Sequence, residues 1–190
     1  MTHPDSMESR VAALEERLRE SEDRLRLLED EREIRELLAA YGFTVDSCLD
    51  DAYVDLFTSD GVMDLSIGGT GAYASAVRWE GTEGIRGFIS DPAGNHDPRY
   101  YGKVLHLQGN NLVIRVTGDE AVANSYSVVL FVTDAETVIR TAGANEWAFR
   151  REHGRWRYLR RTRREVGSSE FEKILRTTLG SRPFAAPMTE

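Results

Sequence analysis

From Met7 to Tyr41 the chain contains neither glycine nor proline, and its apolar residues return at helical intervals. Val11, Leu14, Leu18, Leu25 and Leu28 fall at the a and d positions of a heptad, with Ser21 as the polar exception. Charged residues fill the flanks, and pairs such as Glu16 and Arg19 can meet across one turn. The pattern predicts one helix over 7–40. Leucines at successive seam positions have no reason to sit on a fully solvated helix, so residues 1–31 are expected to form a coiled-coil arm for self-association; a solvated helical extension is the alternative. At Ile34 the apolar phase changes, and Ile34, Leu37, Leu38 and Tyr41 follow the 3.6 period of a helix lying on a core. The domain proper is therefore expected to span 32–166.

Within it, Asp50 or Asp51 can cap a short helix over Ala52–Phe57, and Ser59-Asp60-Gly61 reads as a turn. Val62–Ile67 reads as a strand, 68–78 as a loop or hairpin insertion, and Thr82–Ile89 as a helix stopped by Asp91-Pro92. Residues 91–102 hold two prolines, two glycines and two tyrosines, the composition of a functional loop, and Tyr100 and Tyr101 make it a candidate lid. Alternation then predicts four strands, over 103–117, 120–133, 137–152 and 155–166, separated by Gly118-Asp119 (turning at 118–119), 134–136 and His153-Gly154. Helices first and a meander afterwards give an α+β fold, with helices packed on one face of a curved antiparallel sheet. Residues 167–190 form a tail with a helical turn at Phe171–Leu179.

Composition narrows the function. The net charge of −8 opposes an extended nucleic-acid footprint, and the basic stretch 150–164 is read as a solvated or ion-paired face. Cys48 is the single cysteine, so no intrachain disulfide can form. The opening MTHPDSMESR has no apolar signal core, and no apolar run is long enough to span a membrane. A cytoplasmic protein that binds no membrane is expected. His3, His96, His106 and His153 show no HxH or HExxH spacing, and no glycine-rich phosphate loop links a strand to a helix. The expectation is therefore chemistry without metal or cofactor.

Two polar residues stand out locally. Asp46 ends the long helix, while Asp50 and Asp51 are better placed for capping. On an ideal helix Tyr41 and Asp46 lie about 140° apart, so they converge only if the chain leaves the helix near Gly42. Strand alternation puts His106, Gln108 and Asn110 on one face, opposite Leu105 and Leu107, which suggests a lined cavity. Asn145 shares a face with Trp147 and Phe149, a polar anchor in an apolar wall, though a satisfied sheet residue is the equal alternative. On the last strand simple alternation groups Arg157, Leu159, Arg161 and Arg163 against Trp156, Tyr158, Arg160 and Thr162, with most of the arginines exterior.

EIRELLAAYGFTVD (33–46), DLFTSDGVMDL (55–65), WEGTEGIRGFI (79–89), VLHLQGNNLVI (104–114), GDEAVANSYSVVL (118–130) and GANEWAFRREHGRWRYLRR (143–161) occur in this order. Together they cover nearly all of 33–164, and the chain they compose resembles the SnoaL-like branch of the nuclear-transport-factor-2-like superfamily, closest in motif to the scytalone and bile-acid dehydratases. The resemblance implies a cone-shaped fold whose curved sheet and helices enclose a mostly apolar pocket. It also implies an Asp–His pair at Asp46 and His106, a pocket tyrosine at Tyr41 and a pocket asparagine at Asn145. A late arginine stabilises an anion in the dehydrochlorinase branch, which makes Arg163 a candidate. Tyr53, Trp147, Phe149 and Tyr101 complete the expected substrate-binding set.

The implied activity is a cofactor-independent lyase, a dehydratase or related β-eliminating enzyme, acting on a hydrophobic, hydroxylated, aromatic or polycyclic small molecule. Alternatives are a formaldehyde-releasing lyase on lignin-derived diaryl compounds, an isomerase or cyclase using the same pair, or a non-catalytic ligand-binding or assembly domain. Dehydratases of this branch are often trimers, so a homotrimer is expected ahead of a dimer.

Overall fold

A computed structural model describes residues 7–66, 76–92, 94, 96, 97 and 100–180. Helix α1 runs unbroken over Met7–Asp46, past the Gly42 at which the chain could have left it. Ile34, Leu38, Tyr41 and Val45 are buried on one stripe, whereas Val11, Leu14, Leu18, Leu25 and Leu28 stay exposed. The change falls at Asp30. Its carboxylate is buried, accepts a hydrogen bond from Trp156 Nε1 at 3.2 Å and pairs with the Arg151 guanidinium, seating the helix on the sheet.

Helix α2 (Asp50–Asp55), strands β1 (Phe57–Ser66) and β2 (Ala76–Glu80), and helix α3 (Gly81–Ile89) follow. The meander is β3 (Val104–Thr117), β4 (Glu120–Val132), β5 (Thr137–Glu152) and β6 (Arg155–Glu165), and α4 (Ser169–Gly180) closes the described chain. The six strands form one curved, unclosed sheet in the order β2-β1-β6-β5-β4-β3. Its pairs are antiparallel except β1 with β6, which β2, α3 and the first three strands of the meander separate in sequence and which run parallel. The insertion expected over 68–78 lies mostly outside the described residues; its end forms β2.

Two turn or cap expectations are corrected. Ser59-Asp60-Gly61 does not break the chain but lies inside β1, where the register against β6 slips between Phe57 and Val62. Its turn chemistry is spent on a bulge, and a Cβ at Gly61 would stand 2.9 Å from the Thr58 carbonyl oxygen. Neither Asp50 nor Asp51 caps α2 through its side chain. Asp50 instead accepts from Ser90 Oγ at 2.6 Å and meets His96 Nε2 at 2.7 Å.

The concave face carries an aromatic core of Tyr41, Tyr53, Phe57, Trp147, Phe149 and Tyr158, packed mainly edge-on or tilted at centroid separations of 5.1–6.0 Å. Burying a side chain of this size is worth roughly 1.5–3 kcal/mol, so this cluster dominates the packing energy of the domain. The convex face is less covered. Leu105, Leu107, Tyr126 and Ile139 are exposed there, so the two leucines flanking His106 face outward while the histidine faces in.

Candidate active site

The last turn of α1 delivers Asp46 to the first residues of β3. One carboxylate holds His106 twice: it accepts from the backbone N–H at 3.0 and 3.2 Å, and Oδ1 lies 2.6 Å from ring Nδ1. The two side chains are partly buried, 18% and 19% exposed. No basic residue stands in the last turn of α1, where a helix carries partial negative charge, so the donors of His106 are what hold a carboxylate there. With Nδ1–H donated to Asp46, the lone pair of the neutral ring lies on Nε2, the arrangement that makes imidazole a general base.

Gly42 permits this approach. A Cβ on it would stand 2.5 Å from the His106 carbonyl oxygen, closer than any side chain tolerates. Helix and strand therefore touch backbone to backbone one turn before Asp46.

Around the pair lies a cavity of about 40 Å³, walled by Val45, Asp46, Cys48, Val104 and His106 and roofed by Gly94, Tyr100, Tyr101 and Arg140. A water molecule occupies about 30 Å³ and small-molecule sites run to roughly 300–1,000 Å³, so the cavity as it stands is small beside an aromatic molecule. Among the contacts that hold that roof are two made by charged side chains. The Arg140 guanidinium stacks over the Tyr100 ring at 4.4 Å, and His96 reaches the Asp50 carboxylate. Burial pushes the Asp50 carboxyl up, but the Ser90 and His96 hydrogen bonds and the nearby His96 and Arg86 charges outweigh it and hold the group below its ordinary value. Beside the pair, the Cys48 thiol is pushed up by burial and then by the Asp50 and Asp46 carboxylates, so it is a neutral thiol at pH 7.

Tyr41 does not converge with Asp46. It points into the core, where its hydroxyl accepts a hydrogen bond from Arg161 Nη1. Tyr53 is fully buried against Met63, donating to Sδ at 3.0 Å, and Phe149 is packed among the rings. Trp147 donates from Nε1 to Ser125 Oγ at 2.8 Å. Tyr101 sits at the cavity mouth, 63% exposed. Arg163 is buried on the concave face, donating to the Ser66 carbonyl oxygen (2.9 Å), Thr141 Oγ1 (2.6 Å) and Ser127 Oγ (3.2 Å).

Two departures from simple alternation reshape the inner wall. Leu159 is an extra residue opposite the Ala148–Phe149 step, so Trp156 and Tyr158 share the inner face with Arg161 and Arg163 instead of opposing them. Those two arginines are consequently interior, 3% and 5% exposed. Asn110 leaves the face of His106 and Gln108, because Gly109 (φ 74°) and Asn111 (φ 53°) bend β3 and the register slips around Asn110. Local reading missed Arg161, whose Nε donates to Asn145 Oδ1 and whose Nη2 donates to Gln108 Oε1, each at 3.1 Å. Among the described residues no group of three His, Cys, Asp or Glu side chains is placed to hold a metal ion, and no helix is long and apolar enough to cross a membrane.

A model of the SnoaL-like domain matches residues 26–162. Among solved structures, an NTF2-like protein with a cystatin-like fold from Novosphingobium aromaticivorans is similar at 29% identity, covering 90% of this chain and 97% of its own, with a TM-score of 0.68. A Mycobacterium tuberculosis protein of unknown function aligns at 20% identity over 82% of this chain and 89% of its own (TM-score 0.62). A second N. aromaticivorans protein, provisionally assigned as a scytalone dehydratase, aligns at 17% identity over 73% and 85% (TM-score 0.58); these last two likenesses speak to the fold alone. No curated protein matches. With the family model covering most of the chain and a curved six-stranded sheet packed by helices, the chain belongs to the SnoaL-like family of the NTF2-like fold.

Proposed function

We propose that the protein is a cofactor-independent lyase that eliminates water from a hydrophobic, hydroxylated aromatic or polycyclic molecule. The observation that carries this reading is the double grip of Asp46 on His106, which fixes the ring and leaves Nε2 to exchange a proton with a molecule in the cleft. In the reaction, Nε2 takes a proton from the carbon adjacent to the one bearing the hydroxyl. The C–H electron pair becomes the new C=C bond, the C–O bond breaks, and the imidazolium returns its proton to the departing hydroxide as water. Asp46 stabilises the transient imidazolium. Proton transfer of this kind contributes roughly 10²–10⁴-fold, and the walls of the cleft supply positioning.

Residues 1–31 act in this reading as an association arm, with Val11, Leu14, Leu18, Leu25 and Leu28 as the seam of a homotrimer. Light scattering on wild type and on Leu14→Glu/Leu18→Glu tests it: a trimer reduced to monomer is expected, and an unchanged mass would remove the arm from the account.

The function is tested by incubating wild type, His106→Ala and Asp46→Asn with a panel of hydroxylated aryl and steroid-like compounds, reading products by mass spectrometry. Loss of water in wild type, abolished in both folded variants, is expected. Loss of formaldehyde instead would make the enzyme an aryl lyase using the same pair, and turnover surviving in both variants would sink the pair.

A further inference from the structure

Deeper along the concave face than His106, three side chains meet around one guanidinium. Arg161 donates to Asn145 Oδ1, to Gln108 Oε1 and to the Tyr41 hydroxyl, and its plane lies over the rings of Tyr41 (4.5 Å) and Trp147 (4.8 Å). All these partners are neutral. Arg163, the next residue inward-facing on β6, likewise has only neutral oxygens from Ser66, Ser127 and Thr141. Among the described residues neither buried arginine has a carboxylate in ion-pair range, although buried charges are ordinarily paired. Burial and, after it, the positive charge of Arg161 bring the Arg163 guanidinium down to about 10, with Glu165 opposing.

The arrangement has a direction. Because Asn145 and Gln108 turn their carbonyl oxygens to Arg161, their amide nitrogens face away, and both Asn145 Nδ2 and Gln108 Nε2 are buried with no acceptor among the described residues. Flipping either amide would set N–H groups against the guanidinium, so the orientation is dictated by Arg161. Asn145 is fully buried. Arg161 itself has more N–H groups than the acceptors it meets. Donors are thus gathered around Arg161, which among the described residues has no carboxylate in ion-pair range.

We propose that this cluster of Arg161, Asn145 and Gln108 binds a carboxylate on the substrate. Gln108 lies two residues beyond His106 on the same inner face of β3, about 7 Å along the strand, roughly the span of one aromatic ring. An aromatic acid seated with its carboxylate on Arg161 and its ring lying along β3 would bring the far side of that ring to His106. The placement of the reacting carbon rests on the lyase reading above; the binding of the carboxylate does not.

The test is calorimetry on the full chain with benzoate and 2-naphthoate, each against its neutral amide. Wild type is expected to bind at least one acid about tenfold or more tightly than its amide. Asn145→Asp is isosteric and sets a fixed carboxylate beside Arg161, so the preference should vanish while the melting temperature does not fall. Gln108→Leu should weaken the acid several-fold and the amide little. His106→Ala should keep the preference, so a failed elimination chemistry and a failed anion site give different results. Equal affinity for acid and amide, an unchanged preference in Asn145→Asp and Gln108→Leu, or no binding of either acid by wild type would each overturn the proposal.

Discussion

The chamber holds two polar clusters, and they are finished to different degrees. At the mouth, Asp46 and His106 complete each other: the backbone N–H and ring Nδ1 of the histidine both meet the carboxylate. At the inner end, Arg161 carries a permanent charge among neutral oxygens, and two amides nearby keep buried nitrogens without acceptors. A cluster closed on itself can run a reaction that returns it to its starting state, whereas one left open needs something brought in. In the proposed reading, that difference separates a place for chemistry from a place for recognition.

The largest expected effect comes from breaking the closed cluster. His106→Ala and Asp46→Asn should each lower kcat by about 10²–10⁴-fold with melting temperatures close to wild type, whereas a change at the inner cluster should appear mainly in KM. Next is the seat that brings helix and strand together. Gly42→Ala sets a methyl against the His106 carbonyl oxygen and should cost about 1–3 kcal/mol in urea unfolding, with activity lost beyond what the folded fraction explains.

A smaller effect reports the charge at the mouth. Cys48 is held as a thiol partly by Asp46, so alkylation by iodoacetamide at pH 7 should be slower than for a free cysteine and several-fold faster in Asp46→Asn; an unchanged rate would mean that the carboxylate does not act on it. The smallest concerns the roof. Asp50 has a lowered folded value, so its contribution is present above the unfolded value of about 3.9 and lost as pH falls through the folded one. Cleavage of the 91–103 segment by pepsin should therefore rise steeply below about pH 4 in wild type, and Asp50→Asn should flatten the rise.

Much of the frame was legible because it rests on periods. The change of phase at Ile34 marks where α1 meets the core, and alternation with Gly118, Asp119, His153 and Gly154 places the four strands of the meander to within a residue or two. What was not legible rests on single-residue slips. The extra Leu159 reverses which β6 residues face inward, and Gly109 with Asn111 turns Asn110 away; a bulge leaves no periodic trace in so short a strand. The orientation of the last strand's arginines was therefore misjudged, and Arg161 with it. For Asp46 and His106, sixty residues apart, local spacing offered no link, and only the resemblance suggested that they meet. Tyr41 shows the opposite limit: a helix that continues through Gly42 keeps it on a different side from Asp46.

The uninterrupted helix has a mechanical meaning. At about 1.5 Å per residue, α1 is a rod roughly 60 Å long, and it has no glycine or proline before Gly42 at which to flex. Asp30 and the buried stripe are its bearing, the leucine seam is its long arm and Asp46 is its tip. A lever of this kind converts a large, weak displacement at the far end into a small, stiff one at the tip. The bearing lies between arm and tip, so the seating of the helix on the sheet, through Asp30, the buried stripe and the close approach at Gly42, fixes where the carboxylate meets His106.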